Sequence, residues 1–156
     1  MHTRIDIPEA VRAQVGALLN ASLADAIDLH AQAKQAHWNV RGPRFAMLHG
    51  LFDDLAEEAE EFADLLAERA LQLGVTAQGT LRHAARASRL DEITTTHDET
   101  LLVRHLSASL ARFAAGVRSA SDASAKLGDA TSADVFTEVS RGADKLLWMV
   151  SSHEVG

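Results

Sequence analysis

The sequence contains no cysteine, no tyrosine and only two prolines. Without cysteine the chain cannot form disulfides, zinc fingers or iron–sulfur clusters, and it cannot use a thiolate in catalysis. No apolar run approaches the roughly 20 residues that a membrane-spanning helix needs, and the first residues lack the apolar stretch of a signal peptide. The sequence therefore predicts a cytoplasmic protein that does not associate with membranes.

Basic residues are also few. The sequence has 15 Lys and Arg against 22 Asp and Glu, which gives a net charge of −7 with histidine neutral. A protein whose whole surface grips nucleic acid needs a basic footprint, so this class is disfavoured. The length of 156 residues and the 47% hydrophobic content are those of an ordinary globular protein. We expect a single domain over residues 1–156, with residues 1–7 as a short N-terminal tail.

The scarcity of proline and the abundance of Ala and Leu favour long helices. Four long helices and one long crossover connection describe a four-helix bundle, and a short helix over Leu81–Ala87 is expected inside that connection. Helices of about 30 residues reach about 45 Å, longer than a compact chain of this size is wide, so we expect a homo-oligomer. The last helix begins with a sequence that resembles a capping box, Thr131-Ser132-Ala133-Asp134. The predicted long helices are Pro8 to about Trp38, Pro43 to Gly74, about His97 to Leu127, and Thr131 to about Ser152.

The segment from His49 to Arg69 is unusually acidic. Most of its carboxylates recur at steps of three and four, so they line one face of a helix. A run of this kind is ordinarily a solvated surface, but like charges at this spacing destabilise the helix unless a cation meets them. The acidic residues are Asp53, Asp54, Glu57, Glu58, Glu60, Glu61, Asp64 and Glu68.

Two histidines flank the turn before this acidic stripe. His37 precedes the turn and His49 follows it, so the two imidazoles can face each other in an antiparallel hairpin. Asp53 lies four residues after His49 on the same helix face. A histidine pair alone is more often structural, but two nitrogens and one carboxylate are a ligand set that suits Fe(II) with open positions.

A second pair of ligands, Asp64 and Glu68, lies further along the same helix. His49 and Asp64 are about 22 Å apart on a straight helix, so they cannot share a metal ion within one chain. The sequence also lacks the Glu-x-x-His motif that a di-iron site inside one bundle takes from two of its helices. A second, antiparallel copy of the helix would bring the two ligand groups together, and a two-fold axis would do so twice. The spacing therefore predicts the oligomer and the metal site together.

The residues around these ligands resemble the signature of the Dps mini-ferritins (DNA-binding protein from starved cells). The resemblance extends over nearly the whole chain. It implies an all-α, ferritin-like four-helix bundle with a short extra helix in the long connection, assembled as a hollow homododecamer. The matching segments are Lys34-Gln35-Ala36-His37-Trp38-Asn39-Val40-Arg41-Gly42-Pro43-Arg44-Phe45, His49-x3-Asp53, Asp64-x3-Glu68-Arg69-Ala70, Phe136-Thr137-Glu138-Val139-Ser140-Arg141 and Asp144-Lys145-x2-Trp148.

The resemblance implies a ferroxidase, an oxidoreductase that acts on metal ions. Fe(II) would be oxidised, preferably by hydrogen peroxide rather than dioxygen, and ferric mineral would be stored in the cage, which protects against oxidative stress. Two irons supply two electrons together, so peroxide can be reduced to water without releasing a hydroxyl radical. Zinc or manganese could also occupy such ligands. The implied di-iron site lies at the two-fold interface and takes His37, His49 and Asp53 from one subunit and Asp64 and Glu68 from its neighbour.

Further residues have weaker assignments. Trp38 would lie beside the site, or would serve as a core or interface anchor. His30 is assigned to packing or an interface rather than to ligation, and the other histidines to exposed or hydrogen-bonded positions. Candidates for mineral nucleation are Asp54, Glu57 and Glu58, with solvated carboxylates as the alternative, and candidates for an ion pore are Asp122, Asp129, Asp134 and Glu138, with a helix cap as the alternative for Asp134.

The two ends of the sequence are poor in basic residues. Members of this family that bind DNA commonly use Lys/Arg-rich arms, because neutralising phosphates dominates non-specific affinity. Arg4 and Arg12 are the only basic residues before Lys34, and Ser151–Gly156 contains none. We therefore expect weak or absent DNA binding, with association with the nucleoid as an alternative. The alternative functions are a non-enzymatic DNA-compacting or structural shell with a vestigial metal site, and a ferritin that uses dioxygen through the same ligands.

Overall fold

A computed structural model describes residues 3–154. The structure contains five helices, α1 (Glu9–Asn39), α2 (Phe45–Gln72), α3 (Leu81–Ala87), α4 (Glu99–Lys126) and α5 (Ala130–Ser151), within these residues. The short turn after α1 makes α1 and α2 an antiparallel hairpin, and the short turn after α4 does the same for α4 and α5. The two hairpins pack together through contacts of α1 with α4 and of α2 with α5, and α3 packs on α1. No β-strand occurs within residues 3–154.

This architecture confirms the predicted four-helix bundle with a short helix in its long connection. The bounds of the helices lie within about two residues of those predicted, but the expected cap of the last helix is wrong. Its N-cap is Asp129, whose carboxylate accepts a hydrogen bond from the Ser132 backbone N–H at 3.0 Å. The Thr131–Asp134 segment is therefore already helical, and Asp134 is not a cap.

The core consists of apolar side chains from the four long helices, with Leu29, Phe52, Phe113 and Phe136 fully buried. Apolar residues of α2 occupy its inner face, which leaves the carboxylates on the outside. α5 approaches α2 closely at Gly142, where a Cβ atom would lie 2.6 Å from the ring of Phe62. None of the helices among the described residues is both long and apolar enough to cross a membrane.

The turn between α1 and α2 is held by a polar contact with the far hairpin. Arg44 donates from Nε to the Glu99 carboxylate at 2.8 Å and from a terminal nitrogen to the main-chain oxygen of His153 at 2.7 Å. Gly42 has a φ of +142°, and a side chain there would collide with the Glu99 carboxylate. The turn that separates the two histidines is thus fixed against the start of α4 and the end of α5.

The other end of α2 is fixed by a buried ion pair. Arg69 donates to Asp129 at 3.0 Å and to the Ser132 hydroxyl at 2.8 Å, and all three residues are buried. A buried charge needs such partners, because the loss of its hydration is otherwise uncompensated. Arg69 thereby ties the end of α2 to the start of α5.

Candidate metal centre

His37 and His49 form a stacked pair where α1 ends and α2 begins. Their ring centroids are 3.7 Å apart, with an interplanar angle of 22°. Nδ1 of His37 is 2.7 Å from the main-chain oxygen of His49, and Nδ1 of His49 is 2.9 Å from the main-chain oxygen of His37. A carbonyl oxygen only accepts, so each Nδ1 carries the proton and donates it. Each Nε2 therefore keeps its lone pair, which is the arrangement typical of metal-binding histidines.

Asp53 completes this group one turn after His49. Its Oδ1 lies 3.9 Å from Nδ1 of His37 and accepts a hydrogen bond from the Lys34 ammonium at 2.7 Å. The hydrogen bond from Lys34 is the main reason that the pKa of Asp53 lies below its ordinary value, and it outweighs the effect of burial, which raises that pKa. Asp53 is therefore an ionised carboxylate at neutral pH. We call His37, His49 and Asp53 the histidine half-site.

Asp64 and Glu68 lie on the exposed surface of α2, toward its other end. We call them the carboxylate half-site. Asp64 comes eleven positions after Asp53 in the sequence, or about 16 Å along the helix. The two half-sites therefore do not meet within one chain. Residues 3–154 contain no group of three His, Asp or Glu side chains arranged to hold a metal ion.

A groove of about 820 Å³ lies between α1 and α2 and reaches the carboxylate half-site at Asp64. Its lining combines apolar side chains with carboxylates of α2, including Leu23, Ile27, Glu60 and Asp64. His30 also lines the groove, and its Nδ1 donates to the main-chain oxygen of Ala56 at 2.9 Å. A surface of mixed apolar and acidic character thus extends along α2 from one half-site toward the other.

The structure also locates the weaker candidates. Trp38 is 65% exposed, so its interpretation as a core anchor is wrong, whereas a place at an interface stays a prediction. Asp129 is wrong as a pore residue, because it is 1% exposed and bound to Arg69. The remaining pore and nucleation candidates are exposed, and they are Asp54, Glu57, Glu58, Asp122, Asp134 and Glu138.

The contact of Lys34 with Asp53 was not predicted from the sequence. Lys34 was part of the recognised motif, but its partner Asp53 lies 19 residues away on the facing helix. The signal in the sequence was the position of Lys34 one turn before His37, which places an ammonium group beside the two imidazoles.

Known proteins agree with this fold. A family model described as a ferritin-like domain matches residues 16–154. A DNA protection during starvation protein from Agrobacterium fabrum is 40% identical over 154 residues, which cover 97% of this chain and 94% of that protein. The structure of DpsC from Streptomyces coelicolor has a TM-score of 0.95 at 28% identity and covers 100% of this chain and 92% of its own. Dps from Microbacterium arborescens in the high iron form has a TM-score of 0.87 at 27% identity and covers 98% of each chain.

The bundle and the matching family model define a ferritin-like protein. Within that class the chain belongs to the Dps family. The resemblance seen in the sequence and the ferritin-like fold are thereby confirmed.

Proposed function

We propose that this protein oxidises Fe(II) and stores the ferric product, with each oxidation site made by two copies of the chain. The observation that carries the proposal is the reciprocal hydrogen bonding of His37 and His49, which leaves two imidazole Nε2 atoms as ligands beside the carboxylate of Asp53. Nitrogen and carboxylate donors of this kind suit Fe(II). The similar structure of Dps from Microbacterium arborescens, in a high iron form, agrees with iron as the substrate.

The register of α2 supports the sharing of a site between two chains. In an antiparallel pair, His49 would face Glu68 of the second copy and Asp53 would face Asp64 of the second copy. Both pairings have the same centre, midway between Glu58 and Ala59. One two-fold axis therefore satisfies both, and each dimer would contain two equivalent sites. Glu68 would be the carboxylate at the tightest iron position.

The reaction at such a site balances with peroxide as the oxidant. Two Fe(II) ions give up two electrons, and hydrogen peroxide with two protons becomes two molecules of water. The carboxylates would stabilise Fe(III), which prefers oxygen ligands. The residues of the chain hold the two ions close together, so that both electrons reach one peroxide molecule and no hydroxyl radical is released.

The distribution of charge supports storage of the product. α2 contains eight acidic residues and one basic residue, so its net charge of −7 equals that of the whole chain. A second groove, between α2 and α5, is lined by Asp54, Glu57, Glu58 and Glu61 together with Lys145. In a hollow homododecamer with this face inward, the carboxylates would attract cations and favour mineral growth.

The activity is tested by loading the purified protein with Fe(II) without oxygen and then adding hydrogen peroxide in stoichiometric amount. Ferric absorbance and trapping of hydroxyl radicals are followed together. The variant H37A/H49A removes both imidazoles, and His83→Ala, on α3, is the matched control. Assembly of every variant is checked by size-exclusion chromatography.

We expect rapid oxidation with few radicals in the wild type and in His83→Ala, and oxidation at the rate of buffer in H37A/H49A. An oxidation rate that is the same in H37A/H49A and wild type would contradict the proposal. Replacing peroxide by dissolved dioxygen in the same assay tests the preference between the two oxidants, and we expect slower oxidation with dioxygen.

A further inference from the structure

The ring of His49 contacts a second ring besides that of His37. The centroid of the Phe45 ring lies 5.1 Å from that of His49, at an interplanar angle of 31°. Phe45 precedes His49 by four residues, and helical side chains lean toward the residue four positions earlier, so this contact follows from the geometry of α2. The packing restricts the rotation of the His49 ring and shields it from water on the side of Phe45.

Phe45 is itself held by the turn that precedes α2. Its backbone N–H donates to the main-chain oxygen of Gly42 at 3.1 Å. The neighbouring Arg44 is anchored at the start of α4, where its Nε donates to the Glu99 carboxylate at 2.8 Å. The position of the Phe45 ring is therefore set by contacts that reach the far hairpin, and the ring provides a rigid support for His49.

Each half-site is followed, toward its own end of α2, by one exposed apolar side chain. Phe45 is 45% exposed and lies on the same helix face as His49. Leu71 is 43% exposed and lies on the same helix face as Glu68, three residues earlier. The stripe of candidate ligands along α2 thus has an apolar residue at each end.

The two-fold axis of the proposed function would bring these two apolar side chains together. Position 45 lies opposite position 72 of the second copy, with the same centre as the pairing of the half-sites. The Gln72 side chain accepts a hydrogen bond from Arg69 of its own chain at 3.1 Å, which leaves Leu71 as the apolar group nearest to Phe45. Contact between the two side chains would be favourable, because it removes apolar surface from water.

We propose that Phe45 positions His49 and, together with Leu71 of the second copy, forms an apolar cap that closes each metal site to water at the end farther from the two-fold axis. The inference rests on the proposed function, because it concerns the same site and the same axis. Phe45 is a positioning residue in this account, since it acts through His49 and supplies no ligand.

The apolar cap would slow the exchange of a bound ion. Water and chelating solutes reach a metal ion only where the surrounding side chains leave a path, so the loss of either Phe45 or Leu71 opens the same path. We expect each loss to raise the rate of metal release by about tenfold, which corresponds to the burial of roughly half of one large apolar side chain.

The test follows the release of Zn(II), which has no redox chemistry, from loaded oligomers after the addition of excess colorimetric chelator. Phe45→Ala, Leu71→Ala and the double variant remove the apolar cap in part or completely, whereas Phe45→Tyr keeps the ring. The matched controls are Met47→Ala, at an exposed position on another face of α2, and Leu101→Ala, at an exposed leucine of α4. Size-exclusion chromatography checks assembly, and the melting temperature of each metal-free oligomer is recorded.

We expect Phe45→Ala and Leu71→Ala each to release Zn(II) about tenfold faster than wild type. The double variant should release it little faster than either, because the two residues close one path and their effects are coupled. Phe45→Tyr, Met47→Ala and Leu101→Ala should release it at the rate of wild type.

A merely structural role of the two residues would lower the melting temperature and leave the rate of release unchanged. Release from Leu71→Ala at the rate of wild type would overturn the inference. Two effects that multiply in full in the double variant would overturn it as well, since they would show that Phe45 and Leu71 act separately.

The two proposals fail in different ways. If H37A/H49A abolishes the binding of Zn(II) but Leu71→Ala releases the ion as wild type does, the metal site stands and the apolar cap is wrong. If neither Zn(II) nor Fe(II), titrated without oxygen, binds to the wild type, the proposed function and the apolar cap are both overturned. Binding to H37A/H49A with the affinity of wild type would have the same consequence.

Discussion

His37 and His49 each use one ring nitrogen to bind the main chain of the other residue, and this exchange fixes the tautomer of both rings. Neither contact involves a metal ion, so the two imidazoles are oriented in the structure without one. Preorganised ligands lose less conformational entropy on binding, which favours affinity. Asp53 of the same half-site accepts a hydrogen bond from Lys34.

The ion pair of Glu99 with Arg44 provides a test at the scale of the residue. The hydrogen bond from Arg44 is the main reason that the pKa of Glu99 lies below its ordinary value of 4.5. A group with a lowered pKa in the folded state adds stability above its unfolded pKa, and loses this contribution as the pH falls through its folded pKa.

We therefore expect Glu99→Gln to lower the melting temperature near pH 7, and the difference from wild type to shrink as the pH falls below 4.5. Thermal unfolding monitored by circular dichroism from pH 3 to 7 measures both. Because the glutamine side chain of this variant cannot ionise, a difference in melting temperature that stays constant over this range would show that the charge of Glu99 is irrelevant.

At the scale of the helix, we expect alanine substitutions at two glycines to have opposite effects on stability. Gly142 of α5 lies against Phe62 of α2, with no room for a Cβ atom, whereas nothing lies within 4 Å of the corresponding position at Gly50 of α2. Alanine is a better helix former than glycine by about 1 kcal/mol. A substitution gains this stability only where the added methyl group has room.

We expect Gly142→Ala to lower the free energy of unfolding by about 1–3 kcal/mol through overpacking, and Gly50→Ala to raise it by up to about 1 kcal/mol. Denaturation in urea measures both changes, with protomer concentration held fixed because the protein is expected to be oligomeric. Stabilisation by both substitutions would mean that the approach of α5 to α2 is looser than described.

The helices were predictable because their ends carry local signals. Pro43 and Gly42 mark the turn after α1, and Gly74 and Gly128 follow the ends of α2 and α4 with positive φ values. The true cap of α5 was not predictable in this way. Asp129 is selected by its buried partner Arg69, which lies 60 residues earlier in the sequence. The local pattern predicted a capping box that starts two residues too late, because the tertiary contact with Arg69 is invisible to it.

The candidate site was also predictable only in part. Spacing in the sequence brought His37, His49 and Asp53 together, because a short turn between two helices leaves few alternatives. The contact between Lys34 and Asp53 depends on the rotation of α1 relative to α2, which periodicity does not fix. The pairing of the two half-sites depends on a second chain, and it stays a prediction.

At the scale of the whole molecule, charge is strongly segregated. All of the net charge of −7 lies in α2, and the remainder of the chain sums to zero. The described part of the N-terminal tail lies against the bundle, where Thr3 donates a hydrogen bond to the main-chain oxygen of Gln72 at 2.8 Å. The described part of the tail thus offers no basic arm of the kind that neutralises phosphates.

We therefore expect little retardation of duplex DNA in a gel shift at neutral pH, moderate salt and low micromolar oligomer. A variant with five lysines added before residue 1 is the positive control, and it should retard DNA in a manner that falls steeply with salt. Retention of DNA by the wild-type protein that resists added salt would contradict this expectation.

The central claim is that each metal site takes ligands from two chains, and subunit mixing tests it most directly. One variant, H37A/H49A, lacks the imidazoles of the histidine half-site. The other, D64N/E68Q, lacks the carboxylate half-site. Each assembled alone has no complete site, whereas a mixed oligomer can combine the intact half of each variant in one site.

With random mixing at equal amounts, about one quarter of the sites would join two intact halves. Mass spectrometry of the mixed oligomers confirms that the subunits have exchanged. We predict that each variant alone oxidises Fe(II) no faster than buffer and that the mixture recovers about one quarter of the wild-type rate. A mixed oligomer as inactive as its components, or a variant fully active on its own, would contradict the account.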